Sequence, residues 1–139
     1  MAIFTLTDAH IIVNSVVLSD HSNQVKISDN REQKDITAFG AASKTYAKGL
    51  GDGTFTIRFF QDFAAAKVHA TLQPLIASTT PIVVEVRPTS AARSATNPAA
   101  LMTALLFDYS MLDGDIGEPS MITAVFQNAS NAGITYPTA

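Results

Sequence analysis

The chain has no cysteine and no tryptophan, and charged side chains make up only 15% of it. Without cysteine there is no disulfide framework and no thiolate metal site. Without tryptophan, and with Tyr46, Tyr109 and Tyr136 as its only tyrosines, it is short of the surface aromatics that a carbohydrate-binding β-sandwich presents to sugar rings. An average globular chain is about a quarter charged. The shortfall fits a protein that hides much of its surface in subunit contacts, or else a small alanine-rich monomer. No stretch approaches the ~18 apolar residues of a membrane span, and residues 1–12 lack the basic start and continuous apolar core of a signal peptide. The expectation is a soluble protein made in the cytoplasm, without a membrane partner.

What is present is enough apolar material for a core. The 139 residues are 47% hydrophobic, and that length is most simply one domain, residues 1–139. The net charge of -3 is unevenly spread. Residues 24–48 hold five basic and three acidic side chains, whereas residues 101–139 hold four acidic ones, Asp108, Asp113, Asp115 and Glu118, and no base. Such separation suits head-to-tail or side-by-side self-association, and chance would also produce it over so few charges. No basic cluster is interleaved with aromatics, which disfavours specific nucleic-acid binding.

Periodicity predicts a mainly β chain. Ile11, Ile12 and Val13, then Asn14-Ser15, then Val16, Val17 and Leu18 read as two short strands about a tight turn, although Asn-Gly would serve such a turn better. Residues 24–36 read as a strand whose far half leaves the core. Residues 38–53, with glycines at 40, 49, 51 and 53 and bases at Lys44 and Lys48, read as a long loop, a length uncommon without a function. Residues 54–60 alternate, with Phe55, Ile57 and Phe59 on one face. Asp62 is placed to cap a helix whose stripe is Ala64, Val68, Leu72, Leu75 and Ile76, limited by Pro74. Residues 82–87 form a strand between Pro81 and Pro88. Residues 101–109 and 120–127 form two more about an acidic turn, and the polar tail beyond Asn128 reads as loosely held. About seven strands and one helix make an antiparallel β-sandwich or half-open barrel with one flanking α-helix.

Chemistry is thinly represented. Asp113, Asp115 and Glu118 around Gly114 and Gly117 lack the spacing of a calcium loop and read as a hairpin turn. Gly49-Leu50-Gly51-Asp52-Gly53 leads into a strand rather than a helix, unlike a phosphate-cradling loop. His10, His21 and His69 have neither metal spacing nor a nucleophile motif. Asn128-Ala129-Ser130 matches the glycosylation triplet only formally. No catalytic residue, cofactor or metal is expected.

Two segments are more specific. Residues 59–75, from Phe59-Phe60-Gln61-Asp62-Phe63 to Leu75, read as strand then helix; Val86-Arg87-Pro88-Thr89-Ser90-Ala91-Ala92 and Ser94-Ala95-Thr96-Asn97-Pro98 follow. With Val13-Asn14-Ser15-Val16-Val17-Leu18-Ser19-Asp20-His21, Gly49-Leu50 and Val125-Phe126-Gln127, this wording resembles the major tail tube proteins of long-tailed bacteriophages across most of the chain. The resemblance implies a β-sandwich-like barrel with one flanking helix. It also implies hexameric rings stacked into a tube in the virion tail, other tail proteins as partners, and transient passage of double-stranded DNA. Other tail components on the same fold, a terminator or a baseplate hub, remain alternatives. For such a tube, Lys44 and Lys48 are candidate inter-ring loop residues. DNA must slide, so the bore should avoid clusters of bases. The base-free strands make Asp108, which alternates away from Leu105 and Phe107, a candidate lumen-wall residue.

Overall fold

A computed structural model describes residues 3–139. The elements are β1 (His10–Val13), β2 (Val16–Val17), β3 (Ser22–Asp35), β4 (Tyr46–Phe60), α1 (Val68–Ile76), β5 (Ile82–Arg87), β6 (Ala100–Asp108) and β7 (Met121–Asn128). All seven strands join one antiparallel sheet in the order β2-β1-β5-β6-β7-β4-β3. It is a single open sheet rather than two packed ones. The sheet curls: Val25 and Ile27 near one edge line a shallow apolar hollow together with Val86 and Ala100 from the other half. The half-open barrel is therefore the form the chain takes.

One face of β4, β5, β6 and β7 feeds the core, and β3 adds half-buried Val25 and Ile27 at its edge. Phe55, Ile57 and Phe59 of β4 sit beside Ile122, Ala124 and Phe126 of β7, and Ala100, Met102, Ala104 and Leu106 of β6 follow. The helix adds Val68, Leu72 and Leu75 to the same cluster and packs on β6. Each fully buried Phe or Leu of this kind contributes about 1.5–3 kcal/mol relative to exposure. The Asn14-Ser15 turn is as expected, with φ of 49° and 68° at its two central residues. That is the left-handed pair a two-residue hairpin needs.

Three expectations are corrected. Residues 46–53 are not loop but the first half of β4, paired with β3 from Asp35↔Tyr46 to Asp29↔Gly53. The strand period is hidden because Gly49, Gly51 and Gly53 occupy alternate positions and leave one face without side chains. That face is needed: a Cβ on Gly53 would lie 2.8 Å from the Ile134 side chain and 3.1 Å from the Met102 sulfur.

The helix begins at Val68, later than expected, with Lys67 as its N-cap residue. Asp62 instead accepts from the Ala64 N–H at 2.9 Å, organising the turn ahead of the helix. Ala66, at φ 59°, breaks any helical run between them.

The tail after Asn128 is held rather than loose. The Ala129 N–H donates to the Thr103 carbonyl at 2.9 Å, Thr135 and Leu101 exchange two backbone hydrogen bonds, and the Ala99 N–H donates to Pro137. Ile134 is buried in the core, and the Tyr136 hydroxyl donates to Asp29 at 2.7 Å. Polar side chains here bond the segment's own backbone, Asn128 Nδ2 to the Ser130 carbonyl at 2.7 Å and the Ala132 N–H to Ser130 Oγ at 3.2 Å, and the backbone extends the β7 side of β6, so composition misread the segment.

Candidate functional site

The most prominent surface feature is an arm. β7 pairs with β4 only over Thr54 to Phe60, so the distal half of the β3–β4 hairpin projects beyond its neighbour in the sheet. β4 has 15 residues, a reach of about 45–50 Å at ordinary strand rise. Residues 36–45 form the tip. There Asp35 accepts from the Thr37 N–H at 2.9 Å and Thr37 Oγ1 accepts from the Thr45 N–H at 2.8 Å. The backbone N–H of Thr37 first, and its hydroxyl next, hold the Asp35 carboxyl below its usual pKa. Ile36, Phe39, Tyr46 and Leu50 are exposed apolar side chains along the arm, Phe39 completely so.

Two of the arm's bases are neutralised locally: Arg31 pairs with Asp29 and Lys34 with Glu32, both at 2.9 Å. Lys44 lies in the tip and Lys48 in the distal half of β4, opposite Gln33. Both are exposed, and neither has an ion-pair partner among the described residues.

At the other end of β4, Phe60 stands opposite Met121, and the connection between β6 and β7 folds over that end. Its base is tied by a small network. Gln61 Nε2 lies 3.0 Å from the Tyr109 hydroxyl and donates to the Met111 carbonyl at 2.6 Å. His69 Nδ1 lies 2.6 Å from the same hydroxyl. The Met121 N–H donates to the Asp113 carbonyl at 3.1 Å and Gly117 turns at φ 82°. The acidic residues Asp113, Asp115 and Glu118 are exposed on this turn beside exposed Met111, Leu112 and Ile116. Among the described residues no three acidic or histidine side chains are grouped as metal ligands would be.

Asp108 is exposed where β6 ends, opposite Val125 after a register shift that follows Leu106. The alternation is the reverse of the sequence reading: Leu106 is in the core and Phe107 is 61% exposed. On the face of the sheet away from the core lie Thr54, Thr56, Thr103, Thr123 and Gln127. Lys26 and Arg58 line a hollow there with Thr56 and Thr123. β6 and β7 carry no base, but the face they share with β4 and β3 does. Arg87 is held apart from these, 3.5 Å from Glu85 and donating to the Ala91 carbonyl. Glu85, only 5% exposed, also pairs with Arg93.

The segment from Pro88 to Pro98 is organised by buried Asn97, which accepts from the Thr89 N–H and donates to the Ala91 and Ala92 carbonyls. The sequence singled out this segment without showing why; one buried amide satisfying the loop backbone is the reason. The histidines are dispersed. His21 sits between Asp20 and Asp62, and His10 lies 3.5 Å from the Ser19 hydroxyl, which itself accepts from the Ile11 N–H.

No family model and no curated protein matches the sequence. Solved structures do. One chain in the virion of a native gene transfer agent particle superposes with a TM-score of 0.69 at 11% identity, covering 94% of this chain and 95% of that one. Another, from the tail of an empty gene transfer agent particle with C6 helical symmetry, gives a TM-score of 0.63 at 10% identity over 84% and 82% of the two chains. The SPP1 Dit protein, of the hub adsorption apparatus of phages that infect Gram-positive hosts, gives 0.52 at 12% identity. That match covers 90% of this chain and 51% of Dit. The likeness is one of fold, shared with components of phage and gene transfer agent tails.

Proposed function

We propose that this chain is a structural, non-enzymatic component of a phage-like virion tail, made in the host cytoplasm. In this reading it is the tail tube subunit, assembling as hexameric rings that stack into a conduit for double-stranded DNA. The observation that carries the reading is the open sheet. Its edge strand β3 has 14 residues and, among the described residues, no strand partner on its outer side, a row of backbone groups that a neighbouring subunit satisfies. Lys26, Asp29, Arg31, Glu32, Lys34 and Asp35 along that strand discourage indiscriminate pairing. The likeness to a chain of a C6 helical tail supports six-fold closure.

Four contiguous strands, β6-β7-β4-β3, would form the wall. Six such sets give about 24 strands, and at ~4.8 Å spacing and ~40° tilt the backbone radius is about 24 Å. That leaves a bore near ~40 Å, wide enough for a duplex. The face turned to the bore is the one away from the core, where Thr54, Thr56, Thr103, Thr123 and Gln127 offer short uncharged groups past which DNA slides. Asp108 stands at its rim, and Arg58 and Lys26 are the bases it must tolerate. The arm, with Lys44 at its tip and Lys48 in its second strand, makes the ring-to-ring contact.

A hub protein is the second reading, favoured by the likeness to Dit. Sedimentation velocity over a concentration series separates the two. A tube subunit gives hexamers growing into polymers, a hub gives one closed ring that never stacks, and a monomer at the highest attainable concentration overturns both.

A further inference from the structure

The arm and the β6–β7 connection lie at opposite ends of one strand, since β4 begins at Tyr46 opposite Asp35 and ends at Phe60 opposite Met121. Their surfaces are complementary in two independent respects. The arm tip, residues 36–45, carries Lys44 as its one charge, and Lys48 follows close behind it past the acid Asp35 at the base; neither lysine has an ion-pair partner among the described residues. The other end carries Asp108, Asp113, Asp115 and Glu118, which likewise have none there. Each end also exposes large apolar side chains: Ile36, Phe39 and Tyr46 at the arm, Met111, Leu112 and Ile116 at the other.

A monomer gains nothing from fully exposed Phe39 and Ile116. Both ends are tied at their bases, the tip through Thr37 and Thr45 and the acidic turn through Ser120 and Gln61. Surfaces that match at opposite ends of one molecule make a heterologous, head-to-tail contact, which propagates instead of closing on a pair.

We infer that the acidic, apolar end formed by residues 108–119 is the surface on which the arm tip of a second copy of this chain docks. This rests on the reading of the chain as a self-assembling tail subunit and names the surface that receives its arm. Apolar contact supplies the attraction. The charges set polarity and register, because arm against arm and turn against turn both bring like charges together.

The test uses two multiply substituted full-length chains, Lys44→Glu with Lys48→Glu, and Asp113→Lys with Asp115→Lys and Glu118→Lys. All five positions are exposed, and circular dichroism checks that both chains fold. Each alone is expected to lose polymerisation, since arm and receiving surface then carry the same sign. Mixed one to one, they are expected to regain it as an alternating polymer, since every arm then meets a turn of opposite sign. A mixture that stays the size of its separate components overturns the inference; if rings are still present in it, the tube reading stands without this contact. Alternation in a mixture that forms fibres without rings supports the contact and removes the ring.

The chain has no cysteine, so a second measurement is free of background. Oxidation of mixed Lys44→Cys and Asp115→Cys chains is expected to give the heterodimer in excess over either homodimer. Its absence overturns the inference even if the charge-reversed chains fail to fold.

Discussion

The Nε2 nitrogen of His21 lies 2.8 Å from the Asp62 carboxylate, joining the turn before β3 to the segment ahead of α1 across 41 residues of sequence. Asp20 holds Nδ1 of the same ring at 2.8 Å. The ring's pKa is raised above its ordinary 6.5, by the hydrogen bond to Asp20 first and that to Asp62 next, against the opposing effect of burial. A group with a raised folded-state pKa stabilises fully below its unfolded value, and that contribution fades as pH rises through the folded one. The melting temperature is therefore expected to fall as pH rises from about 6.5 through the raised value, and His21→Asn should flatten that slope. The carboxylates act in the opposite direction. Asp62, lowered by the Ala64 N–H and then by His21, contributes above its unfolded value near 3.8 and loses that contribution as pH falls. Identical pH profiles for the wild type and His21→Asn would contradict the link.

Gly53 carries the second prediction. Its missing side chain admits Ile134 and Met102, and through Ile134 the tail is seated on the sheet. Gly53→Val is expected to destabilise the fold by about 1–3 kcal/mol, as overpacking does. Amide exchange should speed up at Thr135, whose N–H donates to Leu101. Unchanged denaturation midpoints and unchanged exchange in the tail would show that Ile134 is not seated there.

At Ser15, φ of 68° places a side chain in the left-handed region. Ser15→Gly is expected to stabilise by about 1 kcal/mol, the cost of that conformation for a residue with a Cβ, offset in part by the greater freedom of glycine when unfolded. A lower midpoint in chemical denaturation would mean that the hairpin turn is not as described.

How much of this was legible follows from where the signals reside. Strands with apolar residues on alternate positions, such as Phe55-Ile57-Phe59 and Val84-Val86, announced themselves. So did the Asn14-Ser15 turn, whose asparagine tolerates positive φ. The arm was misread because glycine at 49, 51 and 53 erases the two-residue period, and a strand paired through its backbone leaves no other mark. The tail was misread for the related reason that Ile134 is its one large aliphatic residue, among small and polar ones. The phase of β6 was misread because Leu101, Leu105, Leu106 and Phe107 put apolar residues on both faces, and nothing in the local pattern signals the shift after Leu106. The charge separation between residues 24–48 and 101–139 was visible, but only the pairing of β4 shows that Lys44 and Lys48 lie at the opposite end of that strand from the acidic turn.

The arm tip gives a further expectation. Residues 36–45 bear few backbone hydrogen bonds, chiefly the Ile36 N–H to Thr45 and the Ala41 N–H to Ala38. Their amides should exchange rapidly in the free subunit and slowly in the polymer, since docking must repay the entropy of ordering them. Residues 46–53, already paired with β3, should be slow in both. Equal exchange of the tip in monomer and polymer would exclude the arm from the contact.

The most direct test of the central claim is a cryo-electron microscopy reconstruction of the purified protein assembled at high concentration. The account predicts six-fold rings stacked into a tube, the outer edge of β3 against a neighbour, and Thr56, Thr103 and Thr123 facing an open bore. A preparation that stays monomeric, or a tube whose bore is lined by α1 rather than by that sheet face, would contradict it.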